Sequence, residues 1–209
     1  MEDKFLGVIP ARGGSKRVPN KNMKLINGKP LLYWTIMSAN SSKLLDKVIV
    51  STDNEEISTF CKNNSLEVDK RNKELSGDYV SLTDVMKDIV ERYSYDNVVI
   101  LRPTSPIRHN NIIDKSIKLY SNTKADSLMT GFYNKEREWF THKDQASQLY
   151  KGWFQGNGCV EITSSSILKK GLTYGDKRVK YVQGDIYNHE IDTEVDFIIV
   201  EALMKSIGL

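Results

Sequence analysis

The sequence predicts an α/β fold with a doubly wound, mostly parallel sheet. Short apolar runs rich in Val and Ile occupy residues 5–10, 47–51 and 97–101, and each ends in a polar or proline-containing turn, which is typical of buried parallel strands. After each run, apolar residues recur at helical spacing: Leu32, Ile36 and Ala39, then Ile57, Phe60 and Cys61, then Ile113, Ile117 and Tyr120. Strands that alternate with helices in this way form doubly wound sheets.

The last helix has a recognisable start. Thr193 is followed three residues later by Asp196, and an apolar run occupies residues 197–200, which is the pattern of a capping box. We therefore expect the helix to begin at Thr193. Asp196 is predicted to be a structural capping residue rather than a catalyst.

Residues 132–157 show no clean periodicity and mix charged with aromatic side chains. This composition favours a protruding hairpin or small subdomain, and exposed aromatic side chains suit a partner surface. We expect the segment to be an insert that supports a homodimer or caps the substrate.

Length and charge limit the classes of function. The chain has 209 residues and 39% hydrophobic content, which fits one domain over residues 1–209. Its net charge of +3 comes from 30 basic and 27 acidic residues, and this excess is too small to predict a nucleic-acid or membrane partner. The sequence shows no signal-peptide core and no apolar run of about 18 residues, so we expect a cytoplasmic protein.

The cysteines and histidines form no metal-binding or nucleophile motif. Cys61 and Cys159 lie far apart in the sequence, without zinc-ligand spacing, which predicts reduced, structural thiols. His109, His142 and His189 are scattered, and neither HExxH nor GxSxG occurs, so each is expected to be a surface or hydrogen-bonded histidine.

The loop after the first predicted strand, residues 11–22, reads ARGGSKRVPNKN. Doubly wound sheets bind ligands in the loops at the carboxyl ends of their strands, here the loops after residues 10, 51 and 101. Gly13 and Gly14 allow backbone N–H groups to approach phosphate oxygens, while Arg12, Lys16 and Lys21 supply positive charge. The loop therefore suits a triphosphate, although a solvated basic turn has the same composition. The dinucleotide and P-loop motifs, GxGxxG and GxxxxGK[ST], do not occur.

Two carboxylates precede the last helix. Glu190 and Asp192 are separated by one residue, so in an extended segment both side chains point to the same side. Mg²⁺ commonly takes one or two protein carboxylates together with phosphates and water. The pair is a candidate metal site, and surface charge is the alternative that the pattern leaves open.

Several motifs follow one another along the chain. IPARGGSKRVPNKN is followed by NGKPLLYWTI, and then by VIVSTDNEEIS, RNKELSGDYVS, RPTSPIR, ADS, NG and IDTEVDF. These motifs and their order resemble the acylneuraminate cytidylyltransferase family, the CMP-sialic acid synthetases and their relatives. The resemblance covers essentially the whole chain. It implies a fold like that of nucleotide-diphospho-sugar transferases, with CTP and an acidic sugar as substrates, Mg²⁺ or Mn²⁺ as cofactor, and a homodimer with a small protruding dimerisation element.

The resemblance also implies roles for individual residues. Catalytic roles fall on Arg12, Lys21 and Asp192, and metal binding falls on Asp192 and Glu190. The residues predicted to hold the phosphates and ribose are Arg12, Gly13, Gly14, Ser15, Lys16, Lys21 and Asn22. Those predicted to read the cytosine are Arg71, Val80 and Ser81. The predicted sugar-binding residues are Arg102, Thr104 and Ser105.

The chain departs from the family pattern at two of these positions. Glu190 stands where the family normally has aspartate, and its longer side chain allows a water-mediated contact with the metal. Arg102 stands where the sialic acid synthetases usually have glutamine, and arginine only donates hydrogen bonds and adds a charge. The sugar is therefore open among N-acetylneuraminate, pseudaminate, legionaminate and other nonulosonates, with Lys135, Arg137 and Lys151 as further candidate contacts.

The sequence thus predicts a cytidylyltransferase that joins a nonulosonic acid to CMP and releases pyrophosphate. Two alternatives are a cytidylyltransferase for the eight-carbon acid KDO and an inactive nucleotide-binding or assembly protein of the same fold. The RGGSK motif and Thr104 argue against the KDO enzyme, because its family lacks RGGSK and has an aspartate where this chain has Thr104. Glu190, Arg102 and the short insert motivate the inactive alternative.

Overall fold

The computed structural model describes residues 3–109, 111–136 and 151–209. The strands are β1 (Phe5–Pro10), β2 (Leu25–Ile26), β3 (Lys29–Pro30), β4 (Lys47–Thr52), β5 (Glu67–Lys70), β6 (Asn97–Ile100), β7 (Ser127–Asn134), β8 (Trp153–Ser164) and β9 (Arg178–Val182). The helices are α1 (Leu31–Asn40), α2 (Glu55–Asn63), α3 (Leu82–Arg92), α4 (Ile112–Thr123), α5 (Ser165–Lys169) and α6 (Glu194–Ser206). Short 3-10 turns span Lys21–Met23, Lys73–Ser76 and Asp185–Tyr187.

The described strands form a seven-stranded sheet in the order β5-β4-β1-β6-β8-β7-β9, and β2 pairs with β3 in a separate ribbon. Neighbours from β5 to β6 are parallel, β8 is antiparallel to both β6 and β7, and β9 is parallel to β7. In the middle of the sheet, Val8 lies opposite Ile49 of β4 and Ile100 of β6. The predicted fold class, α/β with a mostly parallel sheet, is confirmed.

The three predicted strands are confirmed as β1, β4 and β6, with ends that shift by at most one residue. Their central residues are apolar because both faces of the sheet are covered. Leu6 and Val8 pack with residues of α3 and α5 on one face. Phe5 and Ile9 pack with residues of α1, α2 and α4 on the other, as the helical spacings predict.

The strands that the sequence does not reveal lie in the outer part of the sheet or pair antiparallel. β5 and β9 are edge strands with alternating, partly exposed side chains. The segment 132–157, expected to be an insert, begins in β7 and ends in β8, which pair antiparallel from Phe132↔Gln155 to Asn134↔Trp153. Its two described ends thus form a hairpin, while residues 137–150, with Arg137 and His142, lie outside the described residues.

The start of α6 is confirmed as a capping box. The side chain of Thr193 accepts from the N–H of Asp196 at 3.4 Å, and the N–H of Thr193 donates to the carboxylate of Asp196 at 2.6 Å. Partial burial alone would raise the pKa of Asp196, but the N–H groups of Asp192 and Thr193 and the Thr193 hydroxyl hold it below its ordinary value. Asp196 is therefore a structural residue, as expected.

The two cysteines are structural, and the described histidines are packed or exposed. Cys61 and Cys159 are free and buried, and burial raises the pKa of the Cys61 thiol to about 11, so both are confirmed as structural thiols. The ring of His109 packs edge-on against Tyr187 at 5.1 Å, and His189 is exposed. None of the helices within the described residues is both long and apolar enough to span a membrane.

The topology brings several loops to one edge of the sheet. Because β1, β4, β5 and β6 are parallel, the loops that follow them share the carboxyl edge, where doubly wound sheets bind ligands. The segment that precedes α6 joins this edge through a hydrogen bond of 2.8 Å from the N–H of Ile191 to the carbonyl of Thr104.

Candidate active site

A cleft of about 560 Å³ opens at the carboxyl edge of the sheet. The loops after β1, β5 and β6 and the segment before α6 line it. Most residues that the sequence assigns to the site meet there: Arg12, Ser15, Lys16, Lys21, Asn22, Arg71, Val80, Arg102, Thr104, Glu190 and Asp192. The candidate residues thus share one cavity, although they come from four separate parts of the chain.

Two cations of the first loop share one carboxylate across the cleft. Arg12 Nη1 lies 3.1 Å from Asp78 Oδ1, and Lys16 Nζ lies 2.5 Å from Asp78 Oδ2. Arg12 also donates to the carbonyl of Gly77 at 3.2 Å. The hydrogen bond from Lys16, with the charge of Arg12, holds the pKa of Asp78 below its ordinary value. The first loop is therefore closed against the segment that follows Arg71.

The two glycines of this loop do not line the cleft. The N–H of Gly13 donates to Asp53 at 2.9 Å, so the phosphate contact predicted for this N–H is not available in this arrangement. A Cβ on Gly13 would lie 2.9 Å from the side chain of Asn54, the N-cap of α2, which explains why glycine is needed here. The predicted roles of Gly13 and Gly14 stay predictions, and the structure gives Gly13 a packing role.

Asp192 faces the first loop from the opposite wall. Lys21 Nζ lies 3.3 Å from Asp192 Oδ1, and Arg17 Nη1 lies 3.3 Å from Asp192 Oδ2. Lys21 also donates to the carbonyl of Ile191 at 2.8 Å. Ile191 is fully buried, and the extended chain then turns both Glu190 and Asp192 towards the cleft. The expected placement of the two carboxylates on one side is observed.

Glu190 is partly buried beside Gly158. Partial burial raises the pKa of Glu190, and the negative charges of Asp192 and Glu161 add to this rise although Arg102 opposes it. Its side chain lies over Gly158, where a Cβ would come within 2.6 Å of Glu190 Oε1. Since Gly158 also has φ of +60°, this position favours glycine on two grounds.

Arg102 forms an ion pair beneath the cleft wall. Its Nε lies 2.6 Å from Oε1 of Glu161, a β8 residue that is almost completely buried. Burial would lower the pKa of Arg102, but the charges of Glu161 and Glu190 raise it above its ordinary value. The guanidinium therefore stays charged, and Glu161 covers its Nε side.

Arg71 is buried. Its side chain donates to the hydroxyl of Ser51 at 3.2 Å through Nε and to the carbonyl of Ser51 at 2.9 Å through Nη2. Desolvation lowers its pKa, against the opposing charges of Asp53 and Asp69. These contacts fix the guanidinium at the end of β5, where it lines the cleft beside Val80.

Two predicted site residues have structural partners instead. Ser81 caps α3 by accepting from the N–H of Asp84 at 3.1 Å. Ser105 is buried and donates to the carbonyl of Asn157 at 2.7 Å. Neither lines the cleft, so the roles predicted for them in cytosine and sugar binding gain no support from this geometry.

Some residues of the site are absent from the sequence-based set. Asp78 and Tyr79 lie within RNKELSGDYVS, the stretch that supplied Arg71, Val80 and Ser81. The motif itself was a signal for them, although no spacing rule singles out Asp78. Glu161 had no local signal, because it is an acidic residue inside an apolar strand. Lys135 and Lys151, two candidate sugar contacts, are exposed and do not line the cleft.

The arrangement can hold a polyanion and a cation together. Arg12, Lys16 and Lys21 present positive charge on one side, and Glu190 and Asp192 present oxygen ligands on the other. In the described part of the chain, no group of three or more His, Cys, Asp or Glu side chains has metal-binding geometry. A pair of carboxylates suits a hard cation that completes its shell with phosphate oxygens and water.

Comparison with known proteins shows which family the chain belongs to. Residues 6–153 match the family model described as Cytidylyltransferase. The chain is 30% identical over 211 residues to the N-acylneuraminate cytidylyltransferase of Streptococcus agalactiae serotype V, which covers 91% of this chain and 51% of that protein. It is 35% identical to the pseudaminic acid cytidylyltransferase of Campylobacter jejuni, and this alignment covers 97% of each.

A solved structure shares the fold. The CMP:2-keto-3-deoxy-manno-octonic acid synthetase complexed with CTP superposes with a TM-score of 0.78, covering 98% of this chain and 99% of that one at 15% identity. The chain spans about half the length of the streptococcal relative and almost all of the Campylobacter one. The family model matches residues 6–153, and the 35% identity to the Campylobacter relative extends over 97% of both chains. The chain therefore belongs to the cytidylyltransferase family.

Proposed function

We propose that this protein is a CTP-dependent cytidylyltransferase that activates a nonulosonic acid as its CMP derivative and releases pyrophosphate. The observation that carries the proposal is the cleft in which the Arg12 loop faces Asp192 and Glu190. Relatives named for N-acylneuraminate and pseudaminic acid support the sugar class.

In the proposed reaction, the C2 hydroxyl of the sugar attacks the α-phosphorus of CTP and pyrophosphate leaves from the opposite side. Arg12, Lys16 and Lys21 neutralise the triphosphate and the departing pyrophosphate. Such positioning and charge neutralisation supply most of the catalysis in phosphate transfer. No protein group is assigned as general base, because none of the described side chains is distinguished for that role by its position.

We propose Mg²⁺ or Mn²⁺ as the cofactor. The donor set fits, because two carboxylates line the same wall and Asp192 remains half exposed. Asp192 would hold the cation, with Glu190 beside it directly or through water. A bound cation would stabilise the charge on the α-phosphate and lower the pKa of the attacking hydroxyl.

Arg71 and the segment around Val80 are proposed to read the base. Cytosine presents a carbonyl and a ring nitrogen as acceptors and an amino group as donor. Arg71 is buried and fixed by Ser51, so it would donate without losing side-chain freedom on binding. Backbone carbonyls near Val80 would accept from the amino group.

The two alternatives receive less support. The KDO enzyme shares the fold at 15% identity, a level that carries no substrate information, whereas the relatives at 30% and 35% identity carry nonulosonate names. The inactive alternative gives no reason for two carboxylates to point into a cleft that is also lined by cations. Both alternatives are tested by the assay that follows.

We expect turnover in a panel assay. The full chain, incubated with CTP, Mg²⁺ and separately N-acetylneuraminate, pseudaminate, N,N′-diacetyllegionaminate or KDO, should release pyrophosphate with at least one of the nine-carbon acids. Turnover of KDO alone would select the first alternative. CTP binding without pyrophosphate release from any sugar acid would select the second.

Asp192→Asn should lower kcat by about 100-fold or more, because several kcal/mol of charge stabilisation pass through a catalytic metal. The same change removes a competitor for Lys21 and Arg17, so metal-free CTP binding should stay equal or tighten. Asp176→Asn, at an exposed site before β9, is the control. Near-normal turnover in Asp192→Asn would refute the metal site.

Asp78→Asn should strengthen CTP binding. The carboxylate of Asp78 competes with the triphosphate for Arg12 and Lys16, and two exposed ion pairs correspond to about two- to tenfold in affinity. Calorimetric titration of the metal-free protein with CTP measures the change, with Asp176→Asn as control. Weaker CTP binding in Asp78→Asn would mean that Asp78 orders the loop more than it competes.

We also propose a homodimer that acts in the cytoplasm. Tyr133 and Trp153 are half exposed on the β7–β8 hairpin, and exposed aromatic side chains favour association. The free, buried thiols are compatible with a reducing compartment. Analytical ultracentrifugation should give twice the chain mass, and Tyr133→Ser with Trp153→Ser should shift the protein towards monomer. A wild-type protein that sediments as a monomer would exclude the dimer.

A further inference from the structure

A buried ion pair forms the cleft wall next to Glu190. Glu161 is 1% exposed in β8, where it lies opposite Ile100 of β6. Its Oε1 is 2.6 Å from Nε of Arg102, whose side chain is 38% exposed and lines the cleft. Burying a carboxylate costs several kcal/mol unless a charge compensates it. The pair therefore differs from the exposed pairs elsewhere in the cleft.

Further hydrogen bonds hold the backbone of Arg102 and the carboxylate of Glu161 in place. The N–H of Arg102 donates to the carbonyl of Gly158 at 3.4 Å, and the carbonyl of Arg102 accepts from Arg108 Nη2 at 2.7 Å. The second oxygen of Glu161 accepts from the hydroxyl of Tyr174 at 3.4 Å. The backbone of Arg102 and the carboxylate of Glu161 are thus fixed independently, which leaves the guanidinium little choice of orientation.

The two Nη groups of Arg102 remain for a ligand. Within the described residues neither Nη forms a hydrogen bond, and Nε is in an ion pair with Glu161 that lacks the alignment of a hydrogen bond. A guanidinium edge that presents two parallel N–H groups matches the two oxygens of a carboxylate. The chemistry of the exposed edge therefore selects a planar anion or a pair of acceptor oxygens.

The location of this edge suits one group of the sugar. Arg102 and Glu190 pack together over Gly158, since a Cβ there would lie 2.9 Å from Arg102 Cδ and 2.6 Å from Glu190 Oε1. In the proposed function the attacking hydroxyl approaches Glu190 and Asp192. In a nonulosonic acid that hydroxyl is on the carbon that carries the carboxylate, so the carboxylate arrives next to Arg102.

We propose that Arg102 receives the carboxylate of the acidic sugar and that Glu161 is the positioning residue that turns the guanidinium towards it. This proposal rests on the proposed function.

Steady-state kinetics on two variants test the role of Glu161. Glu161→Leu keeps the volume and removes the carboxylate that lies 2.6 Å from Arg102 Nε, whereas Glu161→Gln keeps an oxygen on a side chain of the same length. With the best sugar acid of the panel, Glu161→Leu should raise the KM for the sugar by about tenfold or more, the size of one charge-assisted contact. The KM for CTP should stay within about twofold, and Glu161→Gln should recover most of the loss. Glu67→Gln, at an exposed site on β5, is the control.

The group that Arg102 receives is tested with an ester. The wild-type protein should discriminate against the methyl ester of the same sugar acid by about tenfold or more. Arg102→Gln, checked for folding by circular dichroism because it leaves Glu161 without its partner, should lose that discrimination, and so should Arg102→Gln with Glu161→Leu, which leaves no charge unpaired. Adding Glu161→Leu to Arg102→Gln should cause little further loss, because residues that act through one contact are not additive. Discrimination that survives in Arg102→Gln would overturn the carboxylate assignment.

A spectroscopic readout separates this proposal from the proposed function. In arginine-selective NMR, the Nε–H signal of Arg102, assigned by its loss in Arg102→Gln, should be protected from exchange in the wild type and in Glu67→Gln but not in Glu161→Leu. A protected signal in Glu161→Leu, an unchanged sugar KM, or an equal rise of both KM values would overturn the positioning role. If no sugar acid is turned over, the proposed function fails, and the NMR result still decides whether Glu161 orients Arg102.

Discussion

The cleft depends on the attachment of Ile191 to the strand-end loops. Its N–H donates to the carbonyl of Thr104, its carbonyl accepts from Lys21, and its side chain is buried in the cluster beneath α6. Side chains alternate along an extended chain. Because the side chain of Ile191 points into the core, those of Glu190 and Asp192 point towards the cleft. One buried aliphatic residue thus sets the direction of both carboxylates that the proposed reaction uses.

The charged groups of the cleft fall into two kinds of ion pair. At the end of the cleft proposed to hold the phosphates, Asp78 and Asp192 pair with cations of the first loop, and both carboxylates remain open to solvent although Lys21 is mostly buried. Such pairs are weak, so a triphosphate with a higher charge density can replace them. At the other end, Glu161 is buried and its pair with Arg102 is costly to break. A ligand can therefore replace the ion pairs of the first loop, whereas the buried pair between Arg102 and Glu161 stays formed.

The features that the sequence predicted are those with local signals. β1, β4 and β6 are buried on both faces and read as continuous apolar runs, and the capping box of α6 lies within four residues. The edge strands β5 and β9 carry mixed side chains and give no such signal. The contact of Gly13 with Asp53 could not be predicted, because it joins the loops after two different strands. In the first loop, composition indicated the charges correctly but not which N–H groups remain available.

The same distinction explains why the sugar end of the cleft is harder to predict than the phosphate end. By itself, Arg102 in place of the family's usual glutamine indicates a more cationic sugar site. Glu161, on a strand antiparallel to β6, balances that charge, so the change adds two oriented donors with little net charge. Changing position 102 or 161 alone would leave a charged group without its partner, which is strongly destabilising for a buried carboxylate. Positions 102 and 161 are therefore expected to change together among related proteins. Under the proposed function, such a paired change would alter sugar recognition without disturbing the loop proposed to hold the phosphates.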